Sequence, residues 1–242
     1  MTRDPGGLIR TLLSTLESFE ILDLSHTLEE GIPAWPTHAR FGQTLYESYE
    51  LGDVALHYGL TMSEHTGTHM DAPLHFIPEG PAHYGVDEIP LDRLVGRAAT
   101  IEATDLEPGD LLGADRIESW EQKHGPIEQR DRVFFRYGWD ERWATGPEGR
   151  AFLEDWPGLG GDAAEYLVER GVSLVGCDTL AIDAAGSVEN PAHHAFLGSE
   201  VYILENLKNL DRLPSLSLVA ALPLKIRGGS GSPVRAIALV PR

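Results

Sequence analysis

Apolar residues recur at helical spacing in only three stretches of this chain. Leu8, Leu12, Leu13, Leu16 and Phe19 fall on one stripe and predict a helix over residues 8–19, with Asp4 and Pro5 upstream as its start signal. Two more helices are predicted over 114–123 and 162–170, the second opened by Asp162 and closed by Gly171. Elsewhere the apolar residues come in short runs rich in branched and aromatic side chains. These runs predict strands at 98–102, 133–137, 172–176, 201–204, 219–224 and 235–240. Helices and strands do not alternate strictly, so the expected fold class is mixed α/β or α+β, with one large sheet curled toward a barrel. No repeat or low-complexity tract divides the chain. The expected organisation is an N-terminal helical extension over 1–20 and a single domain over 21–242.

Charge narrows the partners. The 38 acidic and 19 basic residues leave a formal charge of -19, which repels a phosphate backbone, so no nucleic-acid partner is expected. No stretch approaches the roughly 20 consecutive apolar residues of a membrane span, and the N-terminus lacks the apolar core of a signal peptide, so no membrane partner is expected. The single cysteine, Cys177, sits in the apolar run VSLVGCD, where a small buried residue is the ordinary occupant. With no internal disulfide available, the expected location is cytoplasmic.

The chemistry is concentrated in residues 64–76, EHTGTHMDAPLHF. His65, Gly67, His69, Asp71, Pro73 and His75 all share one face of an extended strand. Four residues of straight strand span about 13 Å, whereas donors to one metal ion converge within about 2.0–2.2 Å of it. The chain must therefore curl, and Gly67 is the residue that permits it. Imidazoles with a carboxylate are a donor set that divalent transition metals favour, and the carboxylate can bridge two ions. A structural zinc site is disfavoured, because such sites use four closed ligands rich in cysteine.

These residues resemble the signature of the metal-dependent cyclase family, His-x-Gly-Thr-His-x-Asp-x-Pro-x-His, which includes bacterial kynurenine formamidase and isatin hydrolase. His65, Gly67, Thr68, His69, Asp71, Pro73 and His75 meet every fixed position. The likeness runs from DLSHTLEEGIPAWP, beginning at Asp23, through RYGWD and CDTLAID, to the C-terminal ALPLKIRGGSGSPVRAIALV. It implies a swivelling β/β/α fold and a dimer or tetramer. It also implies a hydrolase that cleaves a linear or cyclic C–N amide bond of a small molecule with metal-activated water. The cofactor implied is zinc or manganese, one or two ions per chain.

By the same resemblance, His65, His69 and Asp71 hold one metal ion, and Asp71, His193 and Glu205 hold a second. His193 is chosen over His194 because it stands twelve residues before Glu205, as in the formamidases. His75 becomes the general acid and base, and Trp35 and His26 are expected at the substrate pocket. A metal-dependent binding protein without turnover is the alternative from another class; it would have no need of His75. His83 and His124 read as solvated, and GGSGSP at 228–233, lacking a phosphate-loop lysine, reads as a turn. Two departures bear on the substrate. The formamidases continue their tryptophan with Pro-Gly-Asp where this chain has Pro36-Thr37-His38, and extra length falls at 139–159.

Overall fold

A computed structural model describes residues 4–242; the first three residues of the expected extension lie outside it. The helices are α1 (Pro5–Leu16), α2 (Ala114–His124), α3 (Gly161–Arg170) and α4 (Pro191–Gly198). The strands are β1 (Phe19–Asp23), β2 (Gly42–Glu47), β3 (His57–Thr61), β4 (His69–Asp71), β5 (Val95–Glu102), β6 (Leu111–Leu112), β7 (Arg132–Arg136), β8 (Gly158–Leu159), β9 (Leu174–Cys177), β10 (Tyr202–Glu205), β11 (Leu216–Ala220), β12 (Gly231–Pro233) and β13 (Ile237–Pro241). Nine of them form one mixed sheet in the order β1-β13-β11-β5-β7-β9-β10-β4-β12, with β5, β7, β9 and β10 parallel to one another and the flanking pairs antiparallel.

Side-chain alternation along the parallel strands builds a core on each face. Ala99, Ile101, Val133, Phe135, Val175, Cys177 and Ile203 meet the apolar sides of the helices, while Ala98, Phe134, Leu174 and Leu204 point the other way toward Leu22, Met70, Val219 and Ala238. The second core is enclosed because the sheet curls. β12 pairs at one edge and β13 near the other, although only Val234 to Ala236 separate them. A bridge between Ser25 and Leu207, just beyond the ends of β1 and β10, fastens the two margins. The result is a half-barrel, as the patterning predicted.

Several elements depart from expectation. The first helix ends at Leu16, and Phe19 instead opens β1 as the first core-bound strand. Its apolar stripe packs on nothing described: Leu8, Ile9, Leu12 and Leu13 are all more than half exposed. The strand expected at 219–224 lies earlier, where Leu216–Ala220 pairs with both β5 and β13. In α3, Asp162 is already inside the first turn, and its carboxylate accepts a hydrogen bond from Ala114 N at the start of α2. Gly171 closes α3 in the left-handed conformation, as expected. Both β2–β3 and α4 escaped the apolar pattern altogether.

Candidate metal centre

β4 lies between β10 and β12, with Glu205 directly opposite His69 and Ile203 opposite Asp71. Residues two apart on a strand share a face, as do directly opposed residues, so His69, Asp71 and Glu205 project together. The same face receives α4, whose His193 approaches from above the sheet. Upstream, Gly67 has φ +63°, and a Cβ there would come within 2.6 Å of Leu28 Cδ2. Glycine thus permits the expected curl, which returns His65 to the end of β4. Gly231 answers a similar need in β12, since its Cβ would lie 2.6 Å from His65 Cε1 and 2.7 Å from Met70 O.

The five expected ligands are brought together in two groups that share Asp71: His65, His69 and Asp71, and Asp71, His193 and Glu205. His65 Nδ1 is 2.7 Å from Asp71 Oδ1, and His69 Nε2 is 3.4 Å from that oxygen and 3.5 Å from Glu205 Oε2. On the other side, His193 Nε2 is 3.5 Å from Asp71 Oδ2 and 3.2 Å from Glu205 Oε1. All but His65 are buried.

Outer hydrogen bonds decide which nitrogen of each ring is bare. His69 Nδ1–H donates to Gly67 O at 2.8 Å, leaving the Nε2 lone pair toward the carboxylates. His193 Nδ1–H donates to Asp183 Oδ2 at 2.6 Å, with the same consequence. Asp183 also accepts from Ala192 N and His193 N, a carboxylate seated on the N-terminus of α4. For His65 the order is reversed. Ser230 Oγ donates to Glu64 Oε2 at 2.7 Å and so accepts from His65 Nε2–H at 2.9 Å, which leaves Nδ1 bare against Asp71.

Three imidazole lone pairs therefore face two buried carboxylates. Such an arrangement is repulsive unless cations lie among them, and Asp71 Oδ2 is buried with no hydrogen-bond partner among the described residues. Protons can serve. Burial alone would lower the His69 pKa, but hydrogen bonds to Asp71 and Glu205 outweigh it and push the value up to about 10. His193 rises in the same way, through Asp183, Asp71 and Glu205. Burial raises Asp71, but the His65, His75 and His193 rings outweigh it and hold the carboxyl well below its ordinary range; Glu205 is likewise lowered by His193 and His69. Nitrogen and oxygen donors of this kind fit a divalent ion in place of the protons.

Beside the donors lies a cavity of about 270 Å³, lined by His65, His69, His75, His193 and Glu205 together with Trp35, His38, Phe76, Leu180 and Asn190. His75 belongs to neither donor group. It sits on the short 3-10 turn Pro73–His75, its ring stacked on His65 at 4.0 Å and edge-on to His193 at 6.3 Å. Burial and the nearby His65 and His193 rings lower its pKa, against Asp71 and Glu205, which raise it. Trp35 lines the cavity, but His26 does not. The His26 ring stacks on Trp143 at 4.0 Å, and burial drives its pKa down to about 3. What it contributes is a backbone N–H donated to Thr68 Oγ1, whose hydroxyl in turn bonds Asn206 O and steadies the Gly67–His69 turn.

Asp183, Glu64 and Ser230 went unrecognised in the sequence. The reading of 228–233 as a plain turn also needs correction, because Ser230 completes the hydrogen bonding of His65. Only contact across 165 residues of chain reveals that role.

The Cyclase family model matches residues 22–184. The chain belongs to this family. It is 37% identical over 198 residues to the isatin hydrolase of Roseibium aggregatum, covering 76% of this chain and 74% of that protein. With the kynurenine formamidase of Bacillus cereus it shares 33% over 226 residues, covering 92% and 98%. Among solved structures, an isatin hydrolase bound to the product analogue thioisatinate superposes with a TM-score of 0.89 at 30% identity, across 99% of this chain and 100% of that one. The two superposed chains share one fold.

Proposed function

We propose that this cyclase-family protein is a metal-dependent hydrolase of C–N amide bonds, with a compact ring amide as its substrate class. The observation that carries the reading is the convergence of three bare imidazole nitrogens on Asp71 and Glu205 at the base of a closed-in cavity. His65, His69 and Asp71 would hold one divalent ion, zinc or manganese, and Asp71, His193 and Glu205 would hold a second. An ion held there supplies a Lewis acid that polarises a carbonyl and acidifies water.

The remaining work falls to the chain's own residues. Trp35 and Phe76 present aromatic walls that orient a planar ring. His75, neutral because burial disfavours its charged form, takes a proton from the attacking water as the C–O bond forms. It returns that proton to the departing nitrogen as the C–N bond breaks. Without that transfer the nitrogen would leave as an anion.

Among the described residues no arginine or lysine lines the cavity. That favours a neutral ring amide of the isatin kind over N-formylkynurenine, whose amino-acid end brings a carboxylate. The formamidase reading stands second, supported by alignment over 98% of the Bacillus cereus enzyme. Self-assembly and a cytoplasmic location complete the proposal, the latter supported by the single buried cysteine. The test is hydrolysis of isatin and N-formylkynurenine by metal-replete protein. Turnover of isatin at the higher kcat/KM is expected, and turnover of neither would overturn the proposal.

A further inference from the structure

Pro33 lines two cavities: the one beside the donor groups and a recess of about 350 Å³ formed with the 3-10 segment Gly146–Leu153. Ile32, Pro33 and Leu153 give the recess an apolar part, and Arg40 and Arg150 supply two guanidinium groups. Among the described residues no acidic side chain lines it, and neither arginine has a carboxylate oxygen within 4.0 Å. In a chain of 38 acidic and 19 basic residues, two unpaired cations on one recess oppose the charge of the surface around them.

The chain is built to bring these groups together. Gly146 N donates to Gly31 O at 2.9 Å, joining the 3-10 segment to the stretch that leads into the cavity wall. Gly149 permits the close approach, since a Cβ there would lie 2.1 Å from Ala144 O and 3.3 Å from Pro33 Cγ. Arg150, the next residue, is thereby set beside the wall. It belongs to the length at 139–159 by which this chain departs from the formamidases. From the other side, Arg40 Nη1 donates to Ala34 O at 2.8 Å, and Ala34 lines the cavity beside the donors. One guanidinium therefore touches both spaces.

We infer that Arg40 and Arg150 form a second ligand site, which takes a small organic carboxylate with an apolar body and, when filled, loosens the cavity wall. A guanidinium offers five N–H donors and can pair with a carboxylate through two parallel hydrogen bonds. Ile32, Pro33 and Leu153 would cover the aliphatic or aromatic body, which inorganic phosphate lacks. A carboxylate is also a stronger acceptor than the neutral Ala34 O, so its arrival draws Arg40 away from the wall. Trp35, next along the chain, then loses a restraint on its place in the cavity. That the acid is the reaction's own product rests on the hydrolase proposal. Water cleaves an amide C–N bond to a carboxylate and an amine, so turnover of a ring amide releases an acid of this class, and the recess provides feedback.

The experiment titrates metal-replete full-length protein with sodium benzoate in a calorimeter at low ionic strength, where exposed ion pairs are least screened. The parent is compared with Arg150→Ala and Arg150→Lys, and inorganic phosphate is the competing anion. Arg150 is exposed, so replacing it leaves the core untouched. Benzoate is expected to bind the parent, to bind Arg150→Ala about tenfold or more weakly, and to recover in part with Arg150→Lys. Isatin hydrolysis is read alongside as KM and kcat. In the parent, benzoate should raise KM to a plateau, as a ligand outside the substrate's own site does, and Arg150→Ala should need about tenfold more benzoate to reach it. Equal affinity in parent and Arg150→Ala, or no binding at millimolar benzoate, overturns the site. Phosphate bound as tightly as benzoate overturns the organic-acid class. A KM that climbs without a plateau and regardless of Arg150 puts benzoate at the metal and overturns the coupling to the wall. Benzoate binding that depends on Arg150 in a protein without amide hydrolysis supports the site and refutes the hydrolase proposal instead.

Discussion

Asp183→Asn tests how the second donor group is held. The carboxylate accepts three hydrogen bonds, from His193 Nδ1 at 2.6 Å, His193 N at 3.1 Å and Ala192 N at 2.9 Å. An amide of the same shape has one acceptor oxygen and one NH2 group. If the oxygen stays with the two backbone N–H groups of α4, the NH2 group faces His193 Nδ1 and forces that nitrogen to accept. The ring hydrogen then moves to Nε2, the atom 3.2 Å from Glu205 and 3.5 Å from Asp71, and the lone pair offered to a metal ion is lost. Outer-shell substitutions of this kind cost about 10–100-fold in metal affinity, which is about 1.4–2.8 kcal/mol. Removing the negative charge from the start of α4 costs a further ~0.3–1 kcal/mol of fold stability. Titration of metal-stripped protein with manganese or zinc, followed by calorimetry, measures the first; a denaturant midpoint measures the second. Parental metal affinity in Asp183→Asn would refute the tautomer argument.

On the proposed role of His75, His75→Ala should retain its metal while losing about 10²–10⁴ in kcat, since the ring belongs to neither donor group; equal loss of metal in elemental analysis would make His75 a ligand. In the parent, the acid limb of kcat/KM should lie below the ordinary histidine value of 6.5, because burial and the adjacent imidazoles hold His75 neutral; a limb above 6.5 would contradict that. Ser230→Ala frees the His65 ring to choose either tautomer and should weaken metal binding about 10–100-fold, read by the same titration. In metal-stripped protein the linkage has two signs. Asp71 and Glu205 have lowered pKa values, so their contribution is present above about 4.5 and lost as pH falls; His69, raised to about 10, contributes fully below 6.5 and loses that contribution as pH rises toward 10. Stability of the stripped protein should therefore decline as pH rises from 6.5 toward 10, and added metal should restore that alkaline side; denaturant midpoints across pH check both.

How much the sequence revealed depended on how local the information was. Parallel strands such as 133–137 and 172–176 were legible because strands buried on both faces are continuous apolar runs. β2 and β3 were not, because neither packs on the core and their residues alternate with no buried side. α4 is eight residues long and starts at Asn190-Pro191, too short for helical periodicity to register. The same contrast holds at the site. His65, His69, Asp71 and His75 stand within eleven positions, so spacing alone pointed to a metal. His193 and Glu205 were placed by family resemblance, since the β4–β10 pairing that joins them to Asp71 leaves no local trace. Asp183 and Ser230 are further from recognition still: each acts through a single hydrogen bond to a ring whose partner lies elsewhere in the chain. His26 shows the converse. Its neighbourhood in sequence lies near the pocket, but its ring stacks on Trp143 and is not among the residues that line the cavity.

The account stands or falls on whether the five converging donors hold a metal ion that the chemistry needs. The direct measurement is isatin hydrolysis by one preparation, first stripped with a chelator, then reconstituted with manganese or zinc, alongside Asp71→Ala treated identically. Asp71 contributes to both donor groups and its Oδ2 is buried without a partner. Activity should vanish on stripping and return with metal in the parent, while Asp71→Ala should neither bind metal stoichiometrically nor recover. Unchanged turnover after complete removal of metal, or parental metal content in Asp71→Ala, would contradict it.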